Sequence, residues 1–403
     1  MNAAGPALIL AVAATLAACG DGVLPPNDVL PGDITTPPPA IPVVAAVPIP
    51  PNYGVHDTFV RDGIGFVCAW NTGVILLDVG HGIRGGTPAA PVEISRVLTE
   101  SAGGFVGARA HNAWWFHNPT NGDKRYLFVG QEGPGAIGAS SQGDIHVVDV
   151  SNLLAPVQVA RYHMSGTTQP AGAHNFWMDE SAQVLYAAYY NGGVVALDVS
   201  GTLTGDLAGR ELSRIVPSGG TTYVWGVQQV GPYVYAVDMV NGFLQLQRNP
   251  GGASFSVLAG GGNVPERFSS DLWVHGNAAY TGTWGLRDGN VGNAVKVWSL
   301  SASGAPALVR AINVPLVATV SDLQVSVDGK QLVFTTENGP GSGLHVYSLA
   351  DPLNPTLLAH HNVPDTGYHT GTVADLGGRR YVFAAANPPN PRLVIYDITG
   401  LIP

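Results

Sequence analysis

Cysteine is nearly absent from this 403-residue chain, which has only Cys19 and Cys68, so no disulfide framework can hold a fold together. Charge is scarce as well: Asp, Glu, Lys and Arg make up 11% of the residues and the formal net charge is -10. A phosphate-binding surface needs clustered Lys and Arg, so nucleic acid is excluded as an expected partner. No apolar run reaches transmembrane length. No stretch within the body of the chain sustains a 3.6-residue apolar period with helix caps, which leaves helical and α/β folds without support. Catalytic signatures are missing too: there is no Gly-x-Ser-x-Gly elbow, Walker loop, HExxH spacing or strand-to-helix dinucleotide fingerprint. What the chain has in quantity is Gly, 53 residues, and Pro, 31, beside an apolar fraction of 45%. That fraction fills a large core and excludes long-range disorder.

The N-terminus reads as an address. Ala7 to Leu16 form a short apolar run followed by the small residues Ala17 and Ala18 and then Cys19, the layout of an exported protein's signal. Leu16-Ala17-Ala18-Cys19 resembles the bacterial lipobox. The resemblance implies a signal peptide over 1–18, a diacylglycerol on the Cys19 thiol, and a membrane partner reached through that lipid. The expected location is exported, anchored to the cell membrane or outer membrane, facing the periplasm or exterior. Each buried acyl methylene contributes roughly 0.8 kcal/mol, enough over several chains to hold a domain without a spanning helix. Residues 19–40 contain Pro25, Pro26, Pro31, Pro37, Pro38 and Pro39 without apolar periodicity, and read as an extended tether.

From residue 41 onward the chain repeats. A short apolar strand ending in a polar residue recurs as VILLDV, IHVVDV, VVALDV, VKVWSL, LHVYSL and LVIYDI, with FLQLQ as a degenerate copy. The terminal Asp or Ser is expected to cap the following turn through backbone hydrogen bonds. Hairpin signals precede several copies, at Asn191-Gly192, Asn241-Gly242, Asn338-Gly339 and Asn71-Thr72-Gly73, where positive φ is expected. Further strands and turns upstream give four strands per unit. Units begin near His56, His111, His174, Val224, Ser270, Ser321 and His369, a period of roughly 50 residues that indicates propeller blades. The expected fold is all-β: a seven-bladed β-propeller over 41–403. The motif GVVALDVSG and the ending of LHVYSLADPLNP resemble the LVIVD-repeat family of bacterial and archaeal surface proteins, over nearly the whole chain after the tether.

The last unit offers only three strands before Ile398. IPVVAAVP, residues 41–48, matches the missing outer strand when set against APVQVARY and NPTLLAHH. Both chain ends would then share one blade and close the ring, with Pro42 and Pro48 tolerated on an edge strand. Cys68, inside GFVCAW, reads as a small buried hydrophobe.

Two features point to one mouth of the channel. The inner strands open with His56-Asp57, His111-Asn112, His174-Asn175, Val224-Trp225, Ser270-Asp271, Ser321-Asp322 and His369-Thr370, so four histidines form an arc across adjacent blades. The loops between second and third strands are long at 131–143, 283–293 and 387–391, and they bring Glu132 and Trp284 to the same face, with Tyr190 and Glu337 at corresponding strand ends. A concave mouth with convergent polar groups is the expected ligand site. Three readings stay open: inter-blade hydrogen bonds, a divalent metal on His56, His111, His174 and His369 with Glu132 or Glu337 as general base, or an organic ligand or protein partner. The expected role is a membrane-anchored binding module of the cell envelope, with a metal-dependent extracytoplasmic enzyme as the alternative.

Overall fold

The computed structural model describes residues 39–49, 54–101, 109–132, 143–165, 172–249, 251–263, 268–285, 291–386 and 389–401. The chain divides into Met1–Pro37 and Pro38–Pro403. The expected signal peptide, Cys19 and nearly all of the tether fall outside the described residues, as do the middles of the three long loops.

Residues from Pro38 onward build seven antiparallel sheets. In six of them the chain runs from the innermost strand outward and then steps to the next sheet. Blade 1, for example, comprises Asp57–Arg61, Ile64–Cys68, Val74–Asp78 and Val92–Val97. The inner strands of the other blades are Ala110–Trp115, Phe176–Asp179, Val224–Val230, Phe268–His275, Thr319–Val325 and Thr370–Leu376. Each inner strand packs against the next and the seventh returns to the first, so the ring is a closed seven-bladed β-propeller. Among the described residues there is no α-helix.

The middle strands are buried over most of their length because both faces of every blade are covered. Ile64–Cys68 and Val74–Asp78 are buried at every position, which is why VILLDV reads as a continuous run rather than an alternation. One apolar cluster lies between each adjacent pair of blades. Phe66, Cys68 and Leu76 meet Trp115, Leu127 and Val148 between blades 1 and 2. In every blade the pairing of third and fourth strands is interrupted by a register shift, as at Leu76/Leu77 and Val346/Tyr347, and such bulges increase local twist.

Closure occurs as the sequence implied. Val43–Pro48 pairs antiparallel with Arg392–Asp397 and completes blade 7. Ile41 and Ile49, flanking that strand, are buried in the cores on either side of blade 7.

The repeated Asp acts as a cap. Asp78 accepts backbone N–H bonds from Gly80, His81, Gly82 and Arg84, and Asp149, Asp198 and Asp397 each bond the amide two residues on. Cys68 is a buried free thiol, its pKa pushed well up by burial and by the nearby Asp57 charge.

Two local features depart from expectation. Blade 2 has a fifth strand: Gly205–Asp206, from the long third-to-fourth connection of blade 3, pairs parallel with Val157–Tyr162. Leu203 and Leu207 of that connection are buried between blades 2 and 3, and this burial fastens the extra residues over the outer edge. At Asn191-Gly192 the positive φ falls instead on Tyr190 (46°) and Gly193 (82°), and at Asn71-Thr72-Gly73 on Trp70 (53°) and Gly73 (83°). The cause is a backbone bridge to the following blade, Tyr190 with Val224 and Trp70 with Ala110, which draws the aromatic residue into the left-handed region.

Candidate functional site

The backbone fixes three of the four histidines identically. The amides of His56, His174 and His369 donate to the carbonyls of Cys68, Ala188 and Ala385 at 2.8–2.9 Å, just ahead of their inner strands. His111 instead occupies a bulge, between the paired residues Ala110 and Asn112. The same bulge lies between Val224 and Gly226 in blade 4. It corrects the alignment of that blade: Trp225, not Val224, shares the histidine column, and Gly226 falls in the Asp/Asn column, because the bulge inserts one residue. A Cβ on Gly226 would lie 2.8 Å from Oδ1 of Asp271, so that position admits no larger side chain without displacing the carboxylate.

The imidazoles form a continuous arc with centroid separations of 4.2 Å for His369–His56, 4.1 Å for His56–His111 and 4.0 Å for His111–His174. Trp225 continues it 4.1 Å from His174, and Trp284 lies 5.1 Å from Trp225 and 5.9 Å from His369. Six rings thus encircle the axis. The indole of Trp284 spans the two blades whose histidine column holds only Ser270 and Ser321.

All eight sequence candidates belong to this cluster. Nε2 of His56 and Nε2 of His111 lie 3.5 and 3.8 Å from Oε2 of Glu132. The Tyr190 hydroxyl donates to the other Glu132 oxygen, and Tyr190 stands edge-on to His174 at 4.9 Å. Nδ1 of His369 is 3.2 Å from Oε2 of Glu337. Trp70, which the sequence reading did not single out, stacks on His56 at 4.7 Å and 9°.

The proposed four-histidine ligand set is not what the geometry assembles. Ligand atoms of His56, His111 and Glu132 lie within 4.8 Å of one another, so Glu132 joins the donor group rather than standing off as a base. His174 Nδ1 is engaged by the Trp225 carbonyl at 2.6 Å, and His369 is held by Glu337. Neither ring nitrogen of His111 has a hydrogen-bond partner, nor has Nδ1 of His56 or Nε2 of His174.

Burial and mutual proximity divide the charges. His56 and His174 are held well below the usual imidazole range by desolvation and then by the neighbouring imidazoles. Burial first, and the His369 charge second, lower His111 to about 3. For His369 burial also pulls down, but Glu337, Glu132 and Asp322 together outweigh it and raise the group to about 9. Desolvation pushes Glu132 up to about 7. The arc therefore carries one imidazolium among neutral rings, and neutral imidazoles are the form that binds metal.

Beneath the arc is a chamber of about 30 Å³ lined by the four histidines, Trp225, Asp57 and Asp322. The next turn of side chains inward includes Asp57, Asn112, Asn175, Asp271 and Asp322. Asn175 donates to Asp271 at 2.8 Å and the Gly371 amide to Asp322 at 2.8 Å. Burial raises all three aspartates, Asp57 to about 7.

A further column went unread in the sequence. Three residues after each histidine-column position stand Phe59, Trp114, Trp177, Gln228, Trp273, Gln324 and Thr372. All line a second cavity of about 410 Å³ on the other side of the aspartates. The signal was present as an aromatic in four of seven equivalent positions.

No protein-family model and no curated protein sequence matches the chain. Solved structures do. A chain of the structure described as "Crystal Structure of Mitotic Checkpoint Complex" matches with a TM-score of 0.57 at 15% identity, over 94% of this chain and 98% of that one. The extracellular domain of a putative hybrid two-component system from B. thetaiotaomicron matches with a TM-score of 0.50 at 12% identity, over 87% of this chain. This chain spans 39% of the length of that second structure. At these identities the likeness concerns the fold, a β-propeller.

Proposed function

We propose that this protein is a binding module that engages a protein partner on its histidine-bearing mouth. One observation carries the reading: the six-ring arc closes the channel at this mouth and leaves only about 30 Å³ beneath it, too little for an organic substrate. Recognition there takes place on the surface, among Trp284, Glu132 and the loops around them. Leu316, 61% exposed on the connection entering blade 6, adds an apolar contact at the same end. Support comes also from the first structural relative, a chain from a multiprotein complex. With the lipobox and tether read from the sequence, the module would be exported, lipid-anchored and related to the LVIVD-repeat proteins.

A second reading rests on the donor group. His56, His111 and Glu132 supply two neutral nitrogens and one carboxylate, the count found in zinc sites that keep a fourth position open for water. Tyr190 would orient the carboxylate from behind. This is the metal-dependent alternative.

One pair of measurements separates them. Full-length protein would be used as bait on envelope extract, beside a Trp284→Ala, Leu316→Asp variant, and both would be dialysed against ZnCl2. Partner capture reduced roughly tenfold or more in the variant supports the module; equal capture sinks it. Stoichiometric zinc in the wild type that disappears in His111→Ala, Glu132→Gln supports the metal site, and wild type without retained zinc rejects it.

A further inference from the structure

The 410 Å³ cavity at the opposite end of the channel is built differently from the histidine mouth. It opens where the inner strands end, beside Val327, which is 86% exposed. Its wall is an unbroken aromatic arc: Phe59 to Trp114 at 5.2 Å, Trp114 to Trp177 at 5.4 Å, and Trp177 to Trp273 at 5.8 Å between centroids. All four rings are half-buried, so their faces meet both protein and solvent. The arc passes over blade 4 because Gln228 is drawn aside to bond both the carbonyl and the amide of Val274.

The floor is acidic. Asp57, Asp271 and Asp322 line the inner end of the same cavity, and no Lys or Arg among the described residues does. Nor is any of the three in an ion pair with Lys or Arg among the described residues. Asn112, another lining residue that is 4% exposed, turns its side-chain oxygen onto Gly130 of its own blade. His369 acts on Asp57 and Asp322 from the histidine end and Asp271 shares a hydrogen bond with Asp322, yet burial still raises all three, and a cation bound from the cavity side would favour their charged forms. Indole faces attract cations through the ring quadrupole. A volume of this size suits a small organic molecule.

We propose that this cavity binds an organic amine, with its protonated ammonium on the Asp57, Asp271 and Asp322 floor and its body against Trp114, Trp177 and Trp273. The carboxylates accept N–H bonds from the ammonium, and the indoles sandwich an aromatic or aliphatic chain. The site shares Asp57 and Asp322 with the chamber beneath the histidine arc but opens at the other end of the channel.

Titration of the full chain with phenethylamine, followed by tryptophan fluorescence, tests this. The neutral analogue 2-phenylethanol is the control for simple apolar binding. Saturable quenching by the amine with a Kd of roughly 1 mM or tighter is expected, with the alcohol at least about tenfold weaker. Asp271→Asn with Asp322→Asn should weaken amine binding by roughly tenfold or more. Trp177→Ala, on the half-exposed rim, should do so by about fivefold to tenfold and decides the matter if the floor variant does not fold. No saturable signal up to about 10 mM amine, equal binding of the alcohol, or full binding by the Trp177→Ala variant would overturn the proposal.

Discussion

Single carboxylates do contrasting work in this protein according to what surrounds them. Asp78 ends a buried strand, yet against the upward push of burial the amides of Arg84, Gly80 and Gly82 bring it down to about 2. Its folded value lies below the unfolded one of 3.8, so its stabilisation is present above about pH 4 and lost as pH falls through about 2. Asp78→Ala, which strands those amides, should cost about 2 kcal/mol at pH 7. In urea melts the gap from wild type should narrow below pH 4; a constant gap would show that the charge contributes nothing. Asp57, pushed up first by burial and then by Asp322 nearby, goes the other way, to about 7. The capping role of Asp78 was legible because the residue recurs before turns. The contrast with Asp57 was not, because desolvation depends on what the fold brings around the group.

Individual strands show where local pattern suffices and where it fails. Val43–Pro48 was recognisable because it repeats the outer-strand pattern of Val157–Tyr162 and Thr356–Asn362. Its flanks Ile41 and Ile49 are 2% and 6% exposed, and replacing both with Ala should cost about 4 kcal/mol or more. Circular dichroism melts would then show a lower midpoint, and an unchanged midpoint would mean that the closing strand adds no stability. The inner strands were harder to align. A bulge has no sequence signature of its own, so Trp225 was misaligned by one residue and its place in the ring of imidazoles was missed. Likewise, the positive φ at Tyr190 and Trp70 arises from bridges to the next blade, a contact between segments that local turn chemistry does not encode.

At the scale of the whole molecule, the channel has two unlike ends separated by aspartates. One end is stopped by imidazoles and indoles, and the other opens into an aromatic-walled cavity. The formal charge of -10 favours cationic rather than anionic ligands. The proposed attachment is through Cys19; no helix among the described residues is long and apolar enough to cross a membrane. Cys19→Ala should move the protein from the membrane pellet to the soluble fraction, read by immunoblot after fractionation; unchanged partitioning would remove the lipid anchor from the proposal.

Strand-forming repeats, turn residues and the spare outer strand made a closed seven-bladed ring legible in the sequence, since each is a local pattern copied around one axis. The His column was equally legible, being one position read seven times. Tertiary structure alone decided which atoms meet: Glu132 between His56 and His111, the Trp284 indole bridging two serine-bearing blades, and three buried aspartates gathered beneath the arc with no Lys or Arg paired to them among the described residues. Those are distances between blades far apart in sequence, set by bulges, loop paths and side-chain rotamers that packing selects.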